Sequence, residues 1–397
     1  MTSDAFAHIE KKGNVNLTQR AVKLLLTCLI ATICFSCVEE FQPELDEFEN
    51  LLVVDGGITN EEGPYTILLN ISSGLEIIKL EPVSGATTII REENGPFEVL
   101  SEITPGTYQT APGGIKGEIG KRYRIEIAVN GKLYESDYEL LKEPTAIESV
   151  QASLEFKAFP DAPEEVPGYQ FYINTELSPY EQDYYLWRLE GTFKYESDFY
   201  IFYIYEGGFK EFKNHDSLKV CYRTYTVGDI FTTNTNNLVE PKLFAKPLNF
   251  LPAIDNKLSI RYSLLTRQYS ISKEAYEFWH GIERQTSGNA SLYTGQPYQI
   301  RGNLKNIDNP DEPILGYFLV AGVSENRIFV DRPLNVGYYL AGCQLDYEGM
   351  QYVTFTSPDE WPIYITVGED GWALSGNGCL DCRQLSGVLK VPDFWIE

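Results

Sequence analysis

YRIEIAVNGKLYESDY, residues 123–138, decides the fold class. Tyr123, Ile125, Ile127 and Val129 alternate with polar residues, the two-residue period of a strand with one face buried. Asn130-Gly131 then supplies the two positive-φ residues that a type I′ turn requires, so the stretch reads as a β-hairpin. Around it, LLVVDGGI (51–58), YTILLNIS (65–72) and TTIIREE (87–93) are further strands, separated by Gly, Asn, Pro and Glu clusters. Residues 51–143 are therefore expected to form an N-terminal β-sandwich of immunoglobulin-like or transthyretin-like size.

KEPTAIESV, residues 142–150, has the proline and polar residues of a join, and residues 144–397 are expected to form a larger β-rich domain. In YYLWRLEGTFKY (184–195), Tyr185, Trp187 and Leu189 alternate with Leu186, Arg188 and Glu190. DFYIFYIYEGGF (198–209) is nearly all apolar, as a strand buried on both faces would be. One helix is expected at about 272–287: Ser272 can cap it, Ala275, Phe278, Trp279 and Ile282 recur at helical spacing, and Gly288 can close it. The Trp279 stripe reads as a core face packed on a sheet. Strands resume in ILGYFLVAGV (314–323) and NRIFV (326–330).

The first residues carry an address. Lys11, Lys12, Arg20 and Lys23 lead into the apolar run LLLTCLIATICFS, Leu24 to Ser36, which is shorter than the roughly 20 residues of a spanning helix. The pattern is that of a lipoprotein signal peptide over residues 1–36, with Cys37 as the acylated first residue of the mature chain. Acyl chains on that cysteine would anchor the protein to outer-membrane lipid. Residues 37–50 are acidic, contain proline and lack apolar periodicity, as a flexible tether does; a tether of this kind also resembles the export signal that sends lipoproteins to the cell surface.

Composition narrows the chemistry. The chain carries a formal charge of −25, which repels phosphate backbones and makes nucleic acid an improbable partner. Beyond the leader only His215 and His280 remain, too few for histidine-based catalysis or histidine-rich metal sites. No G-x-S-x-G, H-E-x-x-H or complete P-loop occurs. NIDNPDEP (306–313) offers oxygen ligands but lacks the order of an EF-hand, and reads as a solvated loop. No cofactor, metal or catalytic residue is expected.

Of seven cysteines, Cys28, Cys34 and Cys37 belong to the leader or the lipid site, leaving Cys221, Cys343, Cys379 and Cys382. The last two form a C-x-x-C, a spacing shared by half a zinc site, a redox centre and a pair of disulfide partners. In an exported chain an even number of cysteines points to disulfides. Cys343 is expected to bond Cys379 or Cys382, leaving Cys221 with the other, so that the pair clasps the tail to the body.

QYSISKEAYEFWHGIERQTSG (268–288), GQPYQIRGNL (295–304), PILGYFLVAGVSENRIFV (313–330) and CLDCRQLSG (379–387) with KVPDFW (390–395) occur in an order that resembles an uncharacterised family of Bacteroidota outer-membrane lipoproteins. Members of that family are typically encoded beside TonB-dependent receptors. The resemblance implies a non-enzymatic, surface-exposed accessory or ligand-capture partner of such a receptor, handling a glycan, siderophore or peptide. The alternative is a surface glycoside hydrolase using two of the many carboxylates.

Overall fold

Residues 123–138 fold as their alternation requires. Strands Arg122–Val129 and Lys132–Ser136 pair antiparallel with Val129 opposite Lys132. Asn130 and Gly131 carry φ of 51° and 76°, the left-handed values of a type I′ turn. Tyr123, Ile125 and Ile127 are wholly buried. Outward-facing Arg124 pairs with Glu126 at 2.6 Å and with Glu135 at 2.8 Å. The computed structural model describes residues 51–72, 80–158, 164–176, 183–236, 242–254, 256–287, 300–334, 336 and 342–397, all within one compact unit. The signal peptide, the tether, Cys37 and Gly288 lie outside the described residues.

The protein is mainly β. The hairpin belongs to a six-stranded sheet ordered Leu304–Asn306, Lys132–Ser136, Arg122–Val129, Thr87–Glu92 and Phe97–Val99, with Glu139–Leu140 paired to Arg122–Val129. Against it packs part of a ten-stranded sheet, through Val54, Ile58, Ile67 and Leu69 of strands Leu52–Thr59 and Thr66–Ser72. Phe318 and Val320 join the same core from strand Leu315–Asp331. The sandwich is thus completed by strands that lie well beyond residue 143.

The ten-stranded sheet runs through both expected sections. Leu52–Thr59 pairs antiparallel with Thr66–Ser72 on one side and parallel with Leu315–Asp331 on the other, Val53 opposite Leu315 and Thr59 opposite Ala321. Arg261–Ile271, Tyr184–Glu196 and Val220–Thr226 extend the sheet beyond that strand. The parallel junction is close because glycines line it. A Cβ on Gly57 would lie 2.2 Å from the Leu319 carbonyl oxygen, and one on Gly316 would lie 1.9 Å from that of Val54. Gly316 also holds a φ of +92°, which a side chain would strain.

Tyr184–Glu196 explains its own sequence. Tyr185, Trp187 and Leu189 face a three-stranded sheet of Ile147–Lys157, Val166–Glu176 and Lys242–Pro252, sharing a core with Phe171 and Ile173. Alternate residues Tyr184 and Leu186 point to the opposite face, where Ala275, Phe278 and Trp279 of the helix Lys273–Ser287 cover them. Ser272 caps that helix, its Oγ accepting the Ala275 amide at 3.0 Å. Between the sections, Thr145 is pinned: its carbonyl accepts from Gln268 Nε2 at 2.8 Å and Ser324 Oγ at 2.6 Å.

DFYIFYIYEGGF departs from expectation. It forms no long buried strand, only Tyr203–Tyr205, which pairs with Phe209–Glu211 and Ile363–Gly368 in a small four-stranded sheet. Its apolar residues divide between two small clusters, Ile201 with Leu218 and Leu380, and Tyr205 with Val353 and Ile365. An apolar run reports burial and leaves the length of the element open.

The tail is held by two disulfides, Cys221–Cys382 and Cys343–Cys379. Adjacent cysteines of the C-x-x-C therefore serve different partners. Cys382 sits in the main core beside Cys221, and its amide donates to Leu218 O at 3.0 Å while its carbonyl accepts from Tyr195 OH at 2.7 Å. Beyond it, Val388 exchanges two backbone hydrogen bonds of 2.8 Å with Tyr222 on the edge strand Val220–Thr226.

Gly316→Ala is expected to destabilise the protein by about 3 kcal/mol or more, because strain and a backbone clash act together. Gly85, whose Cβ would meet nothing within 4 Å at a φ of +74°, provides the contrast. Gly85→Ala should cost only about 1 kcal/mol, and denaturant midpoints of the two variants compare them. Digestion without reductant should yield cross-linked peptides joining 221 to 382 and 343 to 379. Replacing Cys221 and Cys382 together by Ser should lower stability by about 2–4 kcal/mol.

Candidate functional site

A cleft of about 710 Å³ opens where the hairpin, the helix and the strand Leu315–Asp331 meet. Its polar centre is Glu139, in the two-residue strand that follows the hairpin, with 8% of its surface exposed. Burying a carboxyl group is costly unless donors surround it, and three do. Oε1 accepts from Asn303 Nδ2 at 2.9 Å and from the Tyr317 hydroxyl, and Oε2 accepts from Ser272 Oγ at 3.0 Å. Two of the donors have a second duty. Ser272 caps the helix; Asn303 accepts from the Phe318 amide at 3.0 Å and donates to its carbonyl at 2.8 Å. Glu139 thus ties helix, strand and loop into one wall.

Burial pushes the Glu139 carboxyl above the ordinary glutamate range, although the hydrogen bonds from Tyr317, Asn303 and Ser272 oppose the shift. The Tyr317 hydroxyl is raised as well, first by burial and then by the Glu139 charge beside it. Around this centre lie Arg122, Asp137, Glu274, Glu277 and Arg301, with Phe278 and Ile300 as apolar surface. Such a cleft can hold a small polar ligand by charge and hydrogen bonds. Both Glu139 oxygens are engaged by the protein, an arrangement that orients neighbours more readily than it transfers protons to a substrate.

The residues singled out in the sequence lie elsewhere. The four downstream cysteines form the clasp. His280 stacks on Tyr276 at 5.1 Å, and its Nδ1 lies 3.0 Å from Thr232 Oγ1 and 3.2 Å from Glu283. The His215 ring packs on Phe202 at 4.7 Å. In the loop 306–313, Asn306 Oδ1 accepts the amides of Asp308 and Asn309, and Glu312 pairs with Lys132 at 2.9 Å. Among the described residues no three His, Cys, Asp or Glu side chains are grouped to hold a metal. Glu139 itself carried no motif. Its one sequence signal is an acid placed between apolar residues directly after the hairpin.

Because the folded state holds the Glu139 proton more tightly, this residue's contribution to stability is full below about pH 4 and is lost as pH rises through the raised value. Glu139→Gln keeps the three contacts, since an amide oxygen can accept from Tyr317 and Asn303 while its NH₂ donates to Ser272. The fall in melting temperature between about pH 4 and pH 8 should therefore be shallower in the variant, as followed by calorimetry at a series of pH values.

Among the described residues, no helix is long and apolar enough to cross a membrane. A comparison with curated proteins finds no match. One solved structure, described as "Biofilm associated protein - BSP domain", aligns at 9% identity over 74% of this chain and 61% of that chain, with a TM-score of 0.12. The chain thus spans less than two thirds of that structure, and so low a score carries no argument about fold. The profile of the family described as "Domain of unknown function (DUF4249)" matches residues 38–327, well over half of the chain, and the protein belongs to that family.

Proposed function

We propose that this protein is a lipid-anchored component of the cell envelope, facing the exterior of the outer membrane, that captures a ligand for a TonB-dependent receptor. The observation that carries the reading is the combination of a leader pattern over residues 1–36, directly before Cys37, with two disulfides that bond every cysteine beyond it. Disulfides persist in oxidising compartments, and acylation at Cys37 would keep the chain at a membrane there. The receptor partnership rests on the resemblance of its ordered segments to lipoproteins encoded beside such receptors. The cleft around Glu139, of the size that small ligands occupy, supports a role in capture.

A second reading, a surface glycoside hydrolase, draws on one observation: Glu274 faces the same cleft as Glu139, and its charge adds to the upward push on the Glu139 carboxyl.

The tagged protein, isolated from outer membranes, should bring down a TonB-dependent receptor. Cys37→Ser should shift it from the membrane to the soluble fraction. Recovery without any transport receptor would overturn the partnership, and release of reducing sugar from polysaccharides, lost in Glu139→Gln, would favour the hydrolase.

A further inference from the structure

Charged side chains lining the cleft are mostly satisfied by neighbours. Arg122 pairs with Glu93 at 3.4 Å, Asp137 with Lys305 at 2.7 Å, and Glu277 with Lys273 at 3.4 Å. Glu139 is held by neutral donors from Ser272, Asn303 and Tyr317. Two side chains differ: Arg301 and Glu274 line the cleft without an ion-pair partner among the described residues, and they do not pair with each other. They come from different elements, Glu274 from the first turn of the helix and Arg301 from the segment that leads to Asn303.

We propose that the cleft binds a zwitterion, a free amino acid or short peptide with unblocked termini, its carboxylate on Arg301 and its ammonium at Glu274. This inference rests on the reading of the cleft as a capture site. An arginine fork presents paired N–H groups to a carboxylate, and an ammonium is a compact donor suited to acceptors only. A simple anion would meet Asp137, Glu139, Glu274 and Glu277 in the same space, and a simple cation would meet Arg301. A neutral sugar would leave both unpaired charges without a counter-charge. Phe278 and Ile300 give an apolar side chain or methylene a surface to lie on. The cleft falls within the volume range that suits ligands of this size.

Calorimetric titration of residues 37–397 carrying Cys37→Ser, with trialanine, N-acetyl-trialanine, trialanine amide and maltotriose, tests the assignment. Trialanine should bind, and each blocked form should bind about tenfold or more weakly, the loss expected when one charged contact is removed. Arg301→Ala should weaken trialanine about tenfold while binding the amide as well as the wild type does, because the carboxylate contact is then already gone. Glu274→Gln should do the same for the acetylated peptide. Both changes lie on the surface, so unchanged melting temperatures confirm intact folding. Equal affinity for free and blocked peptides overturns the proposal. Binding of maltotriose without trialanine also overturns it, yet leaves the cleft as a capture site. Binding of neither ligand removes the zwitterion assignment, and receptor recovery from membranes then stands as the separate test of the partnership.

Discussion

The close parallel contact between Leu52–Thr59 and Leu315–Asp331 is the constraint on which the rest of the structure depends. It joins a strand at the start of the described chain to one more than 250 residues later, and through it the first section and the second share one sheet. The junction exists because Gly57 and Gly316 remove the two Cβ atoms that would hold the backbones apart. A third glycine contributes from the side: a Cβ on Gly302 would lie 1.7 Å from the Gly316 carbonyl oxygen. That approach sets the position of Asn303, and with it one donor to Glu139. The same glycines that close the sheet therefore shape the cleft.

Local features were legible from the residues alone. The hairpin at Asn130-Gly131, the Ser272 cap and the alternation of Tyr185, Trp187 and Leu189 within Tyr184–Glu196 each follow from a period or turn chemistry that acts over a few positions. The parallel junction was not legible. In LLVVDGGI and ILGYFLVAGV the glycines resemble strand irregularities, and nothing in either segment names the other. DFYIFYIYEGGF misled for a related reason, since its apolar content is divided between two small clusters.

The cleft was equally hidden, because it is assembled from residues near 122–139, 272–278 and 300–317 that share no motif. Glu139 gains its character from burial and from three donors on three separate segments, all set by tertiary packing. The cysteines were intermediate. Their number and the leader pointed to disulfides, whereas the choice between Cys379 and Cys382 depended on which thiol the fold buries. Cys382 lies in the main core with Cys221, which settles the pairing.

That pairing has a consequence at the margin of the sheet. Val220–Thr226 ends the ten-stranded sheet, and an end strand offers unpaired amides and carbonyls to any neighbouring molecule. With Cys382 fixed to Cys221, the tail is carried past this strand, and Val388 takes both hydrogen-bonding groups of Tyr222. Trp395 then packs edge-on against the Tyr222 ring at 5.0 Å. Such a covered margin keeps one copy of the chain from stitching onto the next, and the clasp thereby acts against self-association.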